Sequence, residues 1–428
     1  MASLPESSHQ QASVSATPVG ASERLMSLDV IRGAAVLGIL LANIVGFGHP
    51  DLAYSWPGAL PDGGNSADGI VWLAQFVLVD GKFRGLFSLL FGASMLLFLD
   101  KAARHGRGAG LQARRLAWLV IFGLAHFYFL FRGDILFSYA ISGFVVLLFL
   151  RMSGEKLLAL GIIWAVMGAL LASLDYLTPT LIEAGSEPGV EGAVAYYDGF
   201  WDGQLQEAQL QQILMSGDSY GAILRYHWMI GGSSLVSYFV YCIFETIPLM
   251  LIGMGLYRLG VYAKPEEGAR FSRLALAGVL AGLALNLALG LFVHARDFPP
   301  YLTQFAFFGL SGLTNLPFLL GAPALLSFIA WRASKGWLAR HLALAGRMAF
   351  TNYIGTSFVM ILIFQGWASG LYGQLHRLEM LLAVAFGWAL MLLSSRLWLA
   401  HFRQGPLEWL WRCLAYDQLF PNRRNQDR

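Results

Sequence analysis

Residues Leu28 to His49 read LDVIRGAAVLGILLANIVGFGH, an apolar run of membrane-spanning length with one Arg near its start and one Asn near its far end. A spanning helix needs about 20 predominantly apolar residues, and polar residues kept inside one are costly enough to call for a reason. Arg32 and Asn43 lie eleven residues apart, roughly three helical turns and about 16 Å of rise, so both fall on one face at two depths. On a neighbouring face Ala34, Gly38, Ala42 and Gly46 recur every four residues. Such a stripe of small residues lets a second helix come close.

The rest of the chain repeats the theme. Of 428 residues, 57% are hydrophobic and 13% charged, the composition of a multi-span membrane protein rather than of soluble domains. Apolar segments follow at 84–99, 115–131, 134–150, 156–174, 235–258, 271–294, 304–331, 347–367 and 378–398. The expected fold is all-α and polytopic, with about ten transmembrane helices. Ile70 to Val79 reads as an amphipathic stretch on the surface. Residues 1–23 are rich in Ser, Ala, Pro and Gln and carry no apolar core of a signal peptide, so they read as a disordered cytoplasmic tail. Five spans then fill 24–174, a long loop with eight acids and one base (Arg225) occupies 175–233, five more spans fill 234–400, and a basic tail closes 401–428.

Lys and Arg set the orientation. With the N-terminus inside, 23 of the 29 bases fall on the cytoplasmic side and six outside. Both termini are therefore expected in the cytoplasm, with the acidic loop on the periplasmic face. A net charge of +3 with no dense basic block gives nucleic acid no footing. Cys242 and Cys413 are too far apart for a CxxC pair and read as packing residues. No metal-ligand spacing, phosphate-binding loop or dinucleotide fingerprint occurs, so no metal or tightly bound cofactor is expected.

Polar residues inside the spans supply the candidate chemistry. Arg32 either anchors the helix end through Asp29, three residues before it, or joins Arg114 and Arg115 in a basic mouth for a phosphate-bearing donor. His126, near the end of the third span, faces Asp134 across a short hairpin. The pair is either a general base oriented by a carboxylate or a helix cap beside a structural His. Glu245 sits mid-span, three residues before Pro248, and needs either a buried Arg or a wet cavity. His49 reads as solvated at the outer surface, or as a base if an acceptor binds there. Asp80, Lys82 and Arg84 read as a locally paired re-entry anchor. Arg347, Asn352 and Tyr353 enter the ninth span together and suggest either a wet cavity or helix–helix hydrogen bonds.

Several motifs carry a resemblance. RLMSLDVIRGAAVLGILLANI, DGKFRGLFSLLFG, AHFYFLFRGDILFSYAISG, LMLIGMGLYRLG, GRMAFTNYIGTS and FRQGPLEWLWRCLAY together resemble the YeiB-like bacterial membrane proteins, whose C-terminal half is a domain of unknown function, number 418. Nearly the whole chain after residue 23 is covered. That family implies an inner-membrane protein without implying a reaction. The LDxxRG start also resembles the first helix of the wider transmembrane acyltransferase superfamily, whose members take an acyl group from cytoplasmic acyl-CoA and pass it to a sugar or other acceptor at the outer face. On that resemblance Arg32 matches the motif's Arg, and Asn43 stands where many members have His. Asn cannot serve as the base, which leaves His126 or His49. Thr356 departs from the Gln common in YeiB-like sequences.

The expected function is acyl transfer, with acyl-CoA as co-substrate. Arg32, Arg114 and Arg115 hold the donor, Asn43 polarises the acyl carbonyl, and His126 set by Asp134 deprotonates the acceptor. The alternatives are a transporter of a small amphiphile with Glu245 as a proton-coupling carboxylate, and a non-catalytic partner binding another envelope protein through the acidic loop. The bilayer and small molecules are the expected partners; oligomeric state is not encoded.

Overall fold

The computed structural model describes residues 26–103, 108–185, 191–262, 265–333 and 336–424, so the tail expected at 1–23 lies outside the described residues. The chain is 84% helical without strands among those residues. Helix α1 (Met26–Gly48) packs against six other helices and organises the bundle. A short α2 (Asp51–Ser55) leads to α3 (Ser66–Leu78), started by an Asn65–Asp68 capping box, and α4 (Lys82–Ala103). Helices α5 (Ala109–Phe129), α6 (Leu136–Val146), α7 (Gly154–Glu183), α8 (Glu191–Ser216) and α9 (Tyr220–Tyr241) follow. A π-helical segment at Cys242–Thr246 joins α9 to α10 (Ile247–Arg258). Next come α11 (Pro265–His294), α12 (Pro300–Gln304), a second π segment at Phe305–Leu310, and α13 (Ser311–Arg332). The chain closes with α14 (Trp337–Arg347), α15 (Ala349–Phe364), α16 (Arg377–His401) and α17 (Pro406–Tyr416).

Among the described residues seven helices or continuous helix pairs are long and apolar enough to cross a membrane, or eight if α14 and α15, bent by 83°, count as one span. The two other spans expected from the sequence are α5 and α6. Helix α5 carries Arg114 and Arg115 in its first half, and Leu136–Phe149 is a shorter apolar helix. These two pack on each other as a hairpin inside the bundle.

Three further expectations are corrected. Residues 175–233 are not a loop: α7 runs on to Glu183, and α8 and the first part of α9 cover most of the other described residues there. In α8 the buried residues Ala208, Gln211 and Met215 share a side with half-buried Trp201, while Tyr196, Phe200, Leu210 and Ile213 are exposed, so no continuous apolar run marks the helix. Helix α3 is not a surface stretch; Trp72 and Phe76 are buried in a cluster with Val293, Phe298 and Phe307. The close approach to α1 runs through Gly33, one residue off the stripe read from sequence. A Cβ on Gly33 would lie 1.9 Å from the Leu342 carbonyl oxygen, and one on Gly346 would lie 1.9 Å from that of Asp29. Gly38 of the stripe instead lies under the Phe83 ring.

The Gly33–Gly346 crossing sets α14 against the N-terminal end of α1. A side chain there must push two backbones apart, so Gly33→Val is expected to cost more than about 3 kcal/mol. Loss of a monodisperse peak and a lower thermal midpoint in detergent would be its signature; unchanged stability would refute the interlock.

Candidate functional site

At the N-terminal end of α1 the bundle encloses a cavity of about 350 Å³. Its mouth carries Arg32, Lys101, Arg115, Arg347 and Arg412 against two carboxylates, Asp29 and Glu408. Its inner wall is apolar and aromatic, including Phe87, Phe91, Leu119, Leu136, Tyr139 and Tyr353. A positive mouth over an apolar wall suits an anionic amphiphile. Arg32 pairs with Asp29 at 3.2 Å, as the anchor reading expects, donates to Ser94 Oγ at 2.8 Å, and lines the cavity.

Arg115 and Arg114 part company. The Arg115 guanidinium stacks on Phe98 and on Trp411, 3.9 and 4.5 Å from the ring centroids, and has no carboxylate partner among the described residues. Arg114 is exposed and does not line the cavity, which corrects its place in the basic mouth. Adjacent helix positions point about 100° apart, so only one of the two can face inward.

The segment read as a basic tail supplies one wall. Helix α17 folds back along α5 and α15 and brings Glu408, Trp411, Arg412 and Tyr416 to the cavity. Trp411 Nε1 donates to the Arg115 carbonyl oxygen at 2.8 Å. Glu408 caps α15: Oε1 accepts from the backbone N–H of Phe350 and Thr351 at 2.8 and 3.0 Å, and Oε2 from Thr351 Oγ1 at 2.5 Å. Burial pushes its carboxyl above the usual range, against these hydrogen bonds. None of these residues was singled out from the sequence. The signal was the amphipathic run PLEWLWRCLAY, with Glu in its first turn. Glu408→Ala removes an N-cap and the hold on α17, and is expected to cost about 1–2 kcal/mol. Faster proteolysis within 402–424 is the readout; unchanged protection would show that the cap does not hold the segment.

His126 and Asp134 meet as expected, both 2% exposed. His126 Nδ1 donates to Asp134 Oδ1 at 2.8 Å, and Asp134 Oδ2 accepts from Phe137 N at 2.7 Å, so the carboxylate orients the imidazole and caps α6 together. His126 Nε2 has no hydrogen-bond partner. Its ring lies 4.9 Å from Tyr353, which lines the large cavity, and 6.4 Å from Phe131, which lines a second cavity at the other end of α1.

The remaining candidates are dispersed. Asn43 is half-buried and lines neither cavity. His49 is not solvated: it is 1% exposed, its Nε2 donates to the Leu375 carbonyl oxygen at 2.7 Å, and burial lowers its pKa to about 4. It ties the end of α1 to the 365–376 segment. Asn352 donates to the Ala345 carbonyl oxygen and Ser395 Oγ at 3.1 and 3.0 Å, the helix–helix reading. Thr356 donates to the carbonyl oxygens of Asn352 and Tyr353. Glu245, in the π turn before Pro248, accepts from Arg84 Nε and Nη2 at 3.1 and 3.4 Å, so the buried Arg foreseen for it is Arg84. Arg84 is thus not part of a local anchor. Lys82 is fully buried and donates to the carbonyl oxygens of Phe76 and Asp80.

The fold and this cavity define a polytopic helical membrane protein with an internal, positively lined chamber. Residues 256–418 match the family described as "Protein of unknown function (DUF418)". The chain is 30% identical over 412 residues to the uncharacterized protein YeiB of Escherichia coli (strain K12), covering 92% of this chain and 96% of that protein. It is 29% identical over 423 residues to the uncharacterized protein YxaH of Bacillus subtilis (strain 168), covering 93% and 96%. No solved structure matches. The chain belongs to the YeiB-like DUF418 family of bacterial membrane proteins.

Proposed function

We propose that the protein transfers an acyl group from a cytoplasmic acyl-CoA to a hydroxyl-bearing acceptor across the bacterial inner membrane. The observation that carries this reading is the large cavity, cationic at its mouth and aromatic within, whose inner wall at Tyr353 packs on the buried His126–Asp134 pair. The excess of bases at 23 to six supports a cytoplasmic side for that mouth.

In this mechanism Arg32, Arg115 and Arg347 hold the donor's phosphates, and the apolar wall receives the acyl end. The acceptor hydroxyl gives its proton to His126 Nε2 while its oxygen bonds to the acyl carbon. The carbon–sulfur bond breaks, and the thiolate leaves toward the mouth and is protonated there. Asp134 holds the ring so that Nε2 keeps the lone pair.

The test is acyl-CoA binding to protein in nanodiscs. Saturable binding, competed by desacyl CoA, is the expected result. Absence of binding in folded protein would remove the proposal.

A further inference from the structure

The second cavity, about 30 Å³, lies where α1 ends, between the Phe131–Arg132 turn, α8, α9 and the 365–376 segment. The charges on its wall are paired, although Arg132 Nε has no hydrogen-bond partner among the described residues. Asp51 and Arg132 pair at 3.2 Å, and Gln211 bonds Asp51 through both its amide atoms. Two other groups on its wall are not matched. His227, 3% exposed, has Nδ1 at 3.1 Å from the Tyr128 carbonyl oxygen. A carbonyl only accepts, so Nδ1 carries the proton and Nε2 of the neutral ring holds a lone pair. No described residue hydrogen-bonds that nitrogen. Tyr372, 4% exposed, likewise has a phenol without a hydrogen bond among the described residues.

Buried polar groups left without partners are costly, so two on the wall of one cavity call for an occupant. One hydroxyl group satisfies both, donating to His227 Nε2 and accepting from the Tyr372 phenol. A cation or an anion would meet charges already neutralised by each other. The volume admits a water or two, or a single hydroxymethyl group, but not a whole sugar ring.

We propose that this cavity binds the hydroxyl-bearing end of a small neutral polyol, held by His227 and Tyr372. That the polyol is the acyl acceptor rests on the reading of the preceding section; the binding site itself does not. The Phe131 ring, which lines this cavity, lies 6.4 Å from the His126 ring.

The test uses full-length protein with ¹³C-labelled histidine in nanodiscs, titrated with glycerol and with glucose, the His227 signal being assigned with His227→Gln. A saturable shift of that signal is expected, and Tyr372→Phe should weaken glycerol binding about tenfold by removing one hydrogen bond. No shift with either polyol in folded protein would mean that the cavity holds water only, and would overturn the proposal. A saturable shift with choline or inorganic phosphate in place of the polyols would overturn the neutral class. Acyl-CoA binding measured on the same samples separates the two readings. Polyol binding without acyl-CoA binding keeps this site and removes its acceptor role; the reverse keeps the donor cavity and removes this site.

Discussion

Arg115→Ala is expected to weaken acyl-CoA binding by about 30- to 100-fold, and Arg114→Ala to leave it unchanged. The two share charge and neighbourhood, so a diffuse electrostatic effect would move both alike. Arg115 differs because its guanidinium is set against Phe98 and Trp411 on the cavity wall, where it has no carboxylate partner among the described residues. A charge-assisted hydrogen bond to phosphate from such a group is worth about 2–3 kcal/mol, which gives the expected factor. Arg115→Lys keeps the charge and loses the planar stack, and should fall between the two. Equal losses at both positions would mean that the mouth acts only as a field.

His126→Ala is expected to lower acyl transfer by about 10³-fold with acyl-CoA binding intact, the range that a general base supplies. Asp134→Asn should lower transfer less, because an amide oxygen still accepts from Phe137 N while the charge opposite the imidazole is gone. Asp134→Ala removes both contacts and should also destabilise the α5–α6 hairpin, by about 1 kcal/mol for the lost cap. A His126→Ala protein that binds donor and transfers normally would exclude His126 as the base.

Features confined to one helix or one tight hairpin were legible in the sequence. The span of α1, the Arg32–Asp29 pair, and the meeting of His126 with Asp134 across a tight hairpin all follow from spacing. Tertiary contacts were not. Which of Arg114 and Arg115 faces inward depends on how α5 is rotated, and that is set by α17, about 300 residues on. His49 looked solvated because it follows a helix end, yet the 365–376 segment covers it. The stripe on α1 pointed to close packing but missed Gly33, because the contact is set by where α14 crosses. Helix α17 was read as tail because its apolar residues lie on one face instead of in one run, and α8 as loop because polar residues and glycines interrupt its apolar ones.

The cavity is walled by α1 on one side and α17 on another, and α1 is synthesised long before α17. Synthesis is vectorial, and early segments wait for their late partners. During that wait Arg32 already has Asp29 beside it, so the nascent first helix enters the bilayer with its cation compensated. Arg115 acquires its second aromatic plate only when Trp411 arrives. A chain still being translated therefore has its first-helix ion pair in place and an unfinished chamber.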